Sequence, residues 1–192
     1  MKVICISGQA RHGKDTAAKM MQKSLWGFGK RVLIIHNADL LKFMCAQLFG
    51  WNGEKDERGR SLLQYVGTDV IRQKAPDFWV DYITDVLTLF PDKWDYVLIP
   101  DCRFPNEIHN LKCNGFDVMH VRVVRDNFDN GLTEEQRQHP SETALDSVAP
   151  DLILMNNGDL VELTRTVLTF TRHLYATEEA KLDGKDHSHD IA

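Results

Sequence analysis

The chain begins with an apolar run that leads directly into a glycine-containing loop and then into a helical pattern. Residues 3–6 are Val-Ile-Cys-Ile, and the loop that follows has the spacing Gly-x-x-x-x-Gly-Lys. Glycines in such a loop let successive backbone N–H groups point at phosphate oxygens, at the positive end of the helix dipole. The lysine then reaches the β- and γ-phosphates. The sequence therefore predicts a P-loop that binds a nucleoside triphosphate through Gly8, Arg11, His12, Gly13, Lys14, Asp15 and Thr16.

One position departs from the P-loop motif. The residue after the lysine is normally Ser or Thr, whose hydroxyl binds Mg²⁺, but here it is Asp15, followed by Thr16. A carboxylate is also a good ligand for a hard cation. The sequence predicts a magnesium site at this point and leaves open whether Asp15 or Thr16 supplies the ligand.

Four further apolar runs, at residues 31–36, 95–101, 118–124 and 151–155, predict four more strands separated by helical patterns. A strand, a helix and a second strand within some thirty residues form a parallel, right-handed crossover unit. The sequence thus predicts an α/β fold with a five-stranded, mainly parallel sheet. At 192 residues a single domain is expected, covering residues 1–175, with a polar tail that frays from about residue 176 to 192.

Polar residues follow the second and third predicted strands. The carboxyl ends of parallel strands meet at one edge of the sheet, where ligands of open α/β folds bind. Asn37 to Asp39 start a helix, and Asp39 is either its N-cap or a ligand contact. Asp101 follows a strand as a Walker B carboxylate does, opposite the phosphates. Arg103 either pairs with Glu107 or holds an anionic substrate.

The segments between the strands carry further signals. Residues 50–60 are polar and predict a loop, and residues 61–90 predict a helix pair. Gly67 interrupts the first of these helices, which indicates that another group packs close to the backbone there. Trp79 is more typical of a core than of a ligand platform. The polar stretch from residue 125 to 138 has the length of a functional lid, and its arginines either neutralise phosphoryl charge or are solvated.

Five separated stretches, which run from the amino terminus to about residue 163, resemble the deoxynucleoside monophosphate kinases of bacteriophages and their bacterial relatives. Asp15 is a familiar variant in that group, while Cys102 stands where an aliphatic residue is expected. The resemblance implies a three-layer α/β/α P-loop kinase fold, with a helical acceptor-binding insertion at about 50–92 and a small lid at about 125–141. The matching stretches are Gly8–Thr16, Leu63–Asp69, Asp101–Glu107, His139–Glu142 and Asp151–Leu163.

The resemblance also implies an activity, namely Mg²⁺-dependent transfer of the γ-phosphoryl of ATP to the 5′-phosphate of a deoxynucleoside monophosphate. The catalytic residues would be Lys14, Asp101, Arg125 and Arg137, and the metal ligands would come from Asp15, Thr16 and Asp101. The adenine would lie at Asn156, Asn157 and Gly158. The acceptor would contact Asp39, Lys42, Thr68, Arg72, Trp79, Arg103 and Glu142.

Two alternatives remain open from the sequence. Another small-molecule kinase of the same fold, such as a dephospho-coenzyme A kinase or a phosphomevalonate kinase, would use the same loop and many of the same arginines. A non-catalytic nucleotide sensor is favoured by Asp15 but opposed by the second charged cluster and the lid.

Charge and hydropathy limit the partners and the location. A net charge of −5 argues against a non-specific binder of nucleic-acid polymers, and no apolar run has the length of a membrane span. We expect small nucleotides as partners, a possible homodimer, and a cytoplasmic location, or the host cytoplasm for a phage protein. His187 and His189 in the tail are expected to be incidental.

Overall fold

The computed structural model describes residues 1–186, and the side chains through residue 180. Its sheet has the strand order β2-β3-β1-β4-β5, and all four pairings are parallel, which confirms the predicted five-stranded sheet. The strand β1 is central, so the loop that follows it lies at the middle of the carboxyl edge. The strands are β1 Lys2–Ser7, β2 Val32–Ile34, β3 Tyr96–Ile99, β4 Asp117–Val124 and β5 Leu152–Met155.

Helices connect the strands and cover both faces of the sheet. Within the described residues, no helix is both long and apolar enough to span a bilayer. One segment, Tyr65–Arg72, is a π-helix that continues α3. The α-helices are α1 Lys14–Gly27, α2 Ala38–Phe49, α3 Glu57–Gln64, α4 Phe78–Leu89, α5 Pro105–Cys113, α6 Glu134–Gln138, α7 Pro140–Thr143 and α8 Leu160–Asp186.

The alternation of side chains along β1 builds two cores. Ile4 and Ile6 face α1 and α8, whereas Val3 and Cys5 face α4 and α5. Successive residues of a strand point to opposite faces, so one buried strand contributes to both layers. The result is the three-layer α/β/α arrangement.

The insertion between β2 and β3 is more helical than its sequence suggests. The helix α3 begins at Glu57, so the prediction of a loop through Arg60 is wrong. The carboxylate of Asp56 accepts a hydrogen bond from the Gly59 N–H at 2.7 Å and caps the helix. The sequence signal for this helix is Asp56 followed by a polar helical turn, but Gly53 and Gly59 on either side of it favour a loop.

Close packing at Gly67 is confirmed. A Cβ built on this residue would lie 2.6 Å from Cδ2 of Leu41, and the indole of Trp79 donates a hydrogen bond to the Gly67 carbonyl at 3.0 Å. Trp79 is only 3% exposed and belongs to a small core with Leu41 and Val66. This core fixes the π-helix against α2 and α4.

The last helix extends further than predicted. The helix α8 continues to Asp186, and the ring of Tyr175 stacks on Phe28 with a centroid distance of 4.6 Å. Lys30 pairs with Glu179 at 2.8 Å. As far as residue 186, the prediction that the chain frays from residue 176 is therefore wrong, because Glu179 pairs with a lysine outside the helix. His187 and His189 lie outside the described residues.

Candidate active site

The loop after β1 has a shape that only glycine permits at two positions. Gly8 has a φ of +137°, and a Cβ there would collide with the carbonyl oxygen of Val123. Gly13 has a φ of +96°, and a Cβ there would lie 2.6 Å from Nδ2 of Asn156. These positive φ values turn the chain tightly into the start of α1. Both glycines of the motif are therefore structural requirements of the loop.

Lys14 folds back across the loop. Its ammonium donates hydrogen bonds to the carbonyl oxygens of Gly8, at 2.7 Å, and Gln9, at 2.8 Å. Burial, together with the nearby positive charge of Arg103, lowers the pKa of Lys14 to about 8. The lysine is thus a poorly solvated cation at the mouth of the loop, where an anionic ligand would compensate its charge.

Asp15 is paired with a histidine that the sequence analysis did not single out. Nε2 of His36 lies 2.8 Å from Oδ1 of Asp15, and Nδ1 of His36 lies 3.2 Å from Oδ2 of Asp39. The hydrogen bond between Asp15 and His36 lowers the pKa of Asp15 and raises the pKa of His36. Lys42 continues the chain of contacts, with its ammonium 3.0 Å from Oδ1 of Asp39. His36 follows β2 at the carboxyl edge of the sheet, and this position is the sequence signal that could have indicated a site residue.

Asp101 caps the helix α2 from outside. Its two carboxylate oxygens accept hydrogen bonds from the N–H groups of Asn37 and Ala38, each at 2.9 Å. The side chain of Asn37 makes no capping bond, and Asp39 lies inside the first turn, where it accepts a bond from the His36 N–H at 3.0 Å. Asp39 is therefore not the N-cap: Asn37 occupies the N-cap position, and Asp101, in the turn after β3, supplies the capping carboxylate.

The expected pair between Arg103 and Glu107 is also corrected. Nη2 of Arg72 donates to Oε1 of Glu107 at 2.6 Å, and only the backbone N–H of Arg103 reaches Glu107, at 2.7 Å. The guanidinium of Arg103 pairs instead with Glu142 and donates to the Ser141 carbonyl at 2.9 Å. Two arginine–carboxylate pairs, one buried and one half-buried, therefore line the same space, and each leaves part of its guanidinium facing it.

That space is a cavity of about 400 Å³ between the loop, the turn after β3 and the insertion. Ten of the predicted site residues lie in its walls, along with polar residues that were not predicted as site residues. Lys55 lies in the polar stretch before α3, which resembles an ordinary solvated loop and carries no motif. The predicted wall residues are Arg11, Lys14, Asp15, Lys42, Thr68, Arg72, Trp79, Asp101, Arg103 and Glu142, and those not predicted include His36, Lys55, Arg60 and Gln64.

The remaining predicted residues, some of them in the loop itself, lie outside the walls of this cavity. Asn156 donates to the His12 carbonyl at 2.9 Å, which ties the turn after β5 to the loop. The guanidinium of Arg125 lies 4.0 Å from the ring centroid of Phe128, and Arg137 donates to Asp129 at 3.0 Å. The other residues in this group are Gly8, Gly13, Thr16, Asp39, Asn157 and Gly158.

Oxygen ligands suitable for Mg²⁺ are present at the cavity. The carboxylate of Asp15 is 65% exposed, and Asp101 lines the same space. Among the residues that the structure describes, no three His, Cys, Asp or Glu side chains are grouped so as to hold a metal by themselves. Magnesium in phosphate-transfer sites is usually held by one or two carboxylates together with phosphate oxygens and water. The donor set fits an ion that arrives with a nucleotide.

The parallel sheet, the glycine loop after its central strand and the buried lysine define a P-loop kinase fold. Two solved structures share it at low sequence identity. The APS kinase of Mycobacterium tuberculosis, in complex with AMPPNP and APS, has a TM-score of 0.51 and 15% identity over 88% of this chain and 95% of that one. A gluconokinase from Sinorhizobium meliloti 1021 has a TM-score of 0.52 and 13% identity over 94% and 97%.

The chain belongs to the deoxynucleotide monophosphate kinase family, whose model matches residues 35–167. The matched range starts after the P-loop, so the family match and the loop are separate observations. The deoxynucleotide monophosphate kinase of Enterobacteria phage T4 is 33% identical over 106 residues, which are 54% of this chain and 41% of that protein. A protein of Acanthamoeba polyphaga mimivirus that carries the same name provisionally is 28% identical over 88% of this chain and 95% of its own length.

Proposed function

We propose that this chain transfers the γ-phosphoryl group of ATP to the 5′-phosphate of a deoxynucleoside monophosphate. The observation that carries the proposal is the single cavity that joins the P-loop to the insertion, with Lys14 on one side and Arg72 and Arg103 on the other. Phosphoryl transfer between two nucleotides requires two anionic groups to come together, and catalysis is mainly positioning and charge neutralisation. Membership of the family supports the same activity.

On the donor side, the loop would bind the ATP phosphates. The ammonium of Lys14 would exchange its two carbonyl partners for phosphate oxygens, and the N–H groups at the start of α1 would point at them. The turn Asn156–Gly158 would hold the adenine. The hydrogen bond from Asn156 to the His12 carbonyl supports this assignment, since it keeps the turn next to the loop.

On the acceptor side, two arginines would grip the phosphate. Glu107 holds Arg72, and Glu142 holds Arg103, so both guanidinium groups have fixed orientations before a ligand binds. Thr68 and Trp79 would line the acceptor pocket. Other acceptor contacts would come from Lys42, directly, and from Asp39, through its ion pair with Lys42.

A magnesium ion would be held by Asp15 and Asp101, with the hydroxyl of Thr16 as a further candidate ligand. When bound, it would neutralise charge on the β- and γ-phosphates. The protein then has only to align the acceptor oxygen with the γ-phosphorus, so no covalent enzyme intermediate is required. A catalytic role for Arg125 and Arg137 requires the segment 125–141 to move as a lid, because neither side chain lines the cavity.

A coupled assay of ADP release over a panel of deoxynucleoside monophosphates tests the proposal. We expect turnover with at least one of them, and a loss of several orders of magnitude in both Lys14→Ala and Asp101→Asn. The panel should include dephospho-coenzyme A and phosphomevalonate. Turnover with one of these and with no deoxynucleotide would overturn the substrate assignment, and full activity in both variants would overturn the catalytic one.

A further inference from the structure

Lys55 lies in the wall of the cavity on the insertion side, in the segment just before α3. Three other cations in these walls are held by carboxylates. Lys42 pairs with Asp39 at 3.0 Å, and Arg72 and Arg103 pair with glutamates. The ammonium of Lys55 forms no ion pair or hydrogen bond with any residue that the structure describes. It is therefore a cation without a protein partner at the edge of a site built for anions.

The backbone around Lys55 is held by several hydrogen bonds. The indole of Trp51 donates to the Glu54 carbonyl at 2.9 Å, and Nε of Arg60 donates to the Lys55 carbonyl at 2.9 Å. The next residue, Asp56, caps α3. A free surface loop would not need these contacts. They fix the point from which the Lys55 side chain extends toward the cavity.

Charged groups from both ends of the site act on Lys55. Partial removal from water lowers its pKa, and the positive charge of Lys42 lowers it further, while the carboxylates of Asp15 and Asp101 oppose the shift. Lys55 in turn helps to lower the pKa of Asp15, after the larger effect of His36. The side chain is thus electrostatically close to the magnesium end of the P-loop and to the acceptor end of the cavity.

We propose that the ammonium of Lys55 binds the acceptor phosphate directly, and that the insertion thereby supplies a catalytic cation opposite Lys14. This rests on the proposed kinase function. In the transfer, an oxygen of the acceptor phosphate forms a bond to the γ-phosphorus, and the bond from that phosphorus to the β,γ-bridging oxygen breaks. ADP leaves with the electron pair. Lys55 keeps its protons and offsets the repulsion between the two anionic groups as they approach.

The kinetic test compares three variants of the full chain with the wild type. Lys55→Met removes the charge at similar length, Lys55→Arg keeps it, and Lys74→Met removes an exposed lysine of the insertion that lies outside the cavity walls. We expect Lys55→Met to lower kcat/KM for the deoxynucleotide by about 10- to 100-fold, the usual range for a lost charged hydrogen bond. The KM for ATP should stay within about twofold. Lys55→Arg should recover most of the loss, and Lys74→Met should match the wild type.

A binding measurement separates this inference from the kinase assignment. A dinucleoside pentaphosphate spans both phosphate sites, and its affinity can be measured by calorimetry without turnover. Lys55→Met should bind it about 10- to 100-fold more weakly, with unchanged affinity for AMPPNP alone. If the wild type phosphorylates no deoxynucleotide, the kinase assignment fails while this comparison still tests Lys55. Unchanged pentaphosphate affinity, an equal loss of AMPPNP affinity, or a wild type that does not bind the pentaphosphate would each overturn the inference.

Discussion

Replacing Glu107 by glutamine should destabilise the protein by about 3 kcal/mol, near the lower end of the range for breaking a buried ion pair. Glu107 is 2% exposed and accepts hydrogen bonds from Arg72 at 2.6 Å and from the N–H groups of Arg103 and Phe104. The variant leaves the guanidinium of Arg72 without its counter-charge. The lower end applies because Arg72 keeps its stacking on the Phe104 ring, at 3.9 Å, and its bond to the Pro76 carbonyl.

Thermal and urea unfolding of the ligand-free protein measure this effect. For a chain of this length, 1 kcal/mol corresponds to about 2–4 °C in Tm, so Glu107→Gln should lower Tm by roughly 6–12 °C. Asp129→Asn is the matched control. It breaks an arginine–carboxylate pair with a similar distance, 3.0 Å, but with side chains that are 47% and 81% exposed. A surface pair of this kind contributes less than about 1 kcal/mol.

A double variant provides the decisive comparison. Burial raises the pKa of Glu107 even though Arg72 opposes the shift, so desolvation of the carboxylate outweighs the attraction of its partner. Replacing both residues by methionine removes both buried charges, and we expect this double variant to be more stable than Glu107→Gln. The reasoning is refuted if Glu107→Gln unfolds within about 2 °C of the wild type. It is also refuted if the stability lost by the double variant equals the sum of the losses in Arg72→Met and Glu107→Met.

Three further predictions follow from other contacts. Gly67→Ala places a methyl group 2.6 Å from Cδ2 of Leu41 and should lower the free energy of unfolding in urea by about 1–3 kcal/mol. In Gly27→Ala the new methyl group meets no atom within 4 Å, so this control should lose no stability. Equal effects of the two substitutions would contradict the packing argument. Burial lowers the pKa of His120 from 6.5, so the unfolded chain binds this proton more readily and stability falls as pH decreases through that range. The stability of the wild type relative to His120→Gln should therefore decrease between about pH 7.5 and about pH 5.5, and a constant difference would argue against it. If Asp15 binds the metal as proposed, Asp15→Ala, which leaves no oxygen ligand on this side chain, should raise the Mg²⁺ concentration for half-maximal turnover by about tenfold, and an unchanged requirement would assign the metal elsewhere.

The sheet was predictable because buried parallel strands are nearly continuous apolar runs. The predicted strands at residues 118–124 and 151–155 differ from β4 and β5 by one residue at one end. The second strand is shorter than its apolar run, because only Val32–Ile34 pair with β3 before the chain turns toward the site. The local sequence pattern was sufficient to predict these strands, since each one pairs with a parallel, largely apolar neighbour.

The π-helix and the ion pairs could not be predicted from local pattern. The periodicity of residues 61–72 indicates a helix but does not distinguish an α-helix from a π-helix, and the contacts of Gly67 with Leu41 and Trp79 involve other elements. In the same way, Arg72 pairs with a carboxylate 35 residues away. Arg103 is closer to Glu107 in the sequence than Arg72 is, and only the tertiary arrangement decides which arginine pairs with Glu107.

Motifs predicted part of the cavity walls and missed other wall residues on the insertion side. The P-loop and the turn after β3 have recognisable spacings, and the residues from them that line the cavity are Arg11, Lys14, Asp15, Asp101 and Arg103. Lys55 belongs to no spacing of this kind, because a residue on a connecting segment reaches the site only through the fold of that segment. Asp39 shows the opposite case, since its position at the sheet edge suggested a wall residue but its carboxylate turns to His36 and Lys42.

The contacts of Lys14 have a consequence for how tightly a nucleotide is held. The ammonium is already bound to two carbonyl oxygens of its own loop, so in the proposed reaction a nucleotide would compete with the protein for the same three protons. The lysine would then contribute to affinity only the difference between two sets of hydrogen bonds. The same exchange would run in reverse on product release, because the loop carbonyls would again accept the hydrogen bonds that the departing phosphates give up. Internal competition of this kind would keep a charged site from retaining its product.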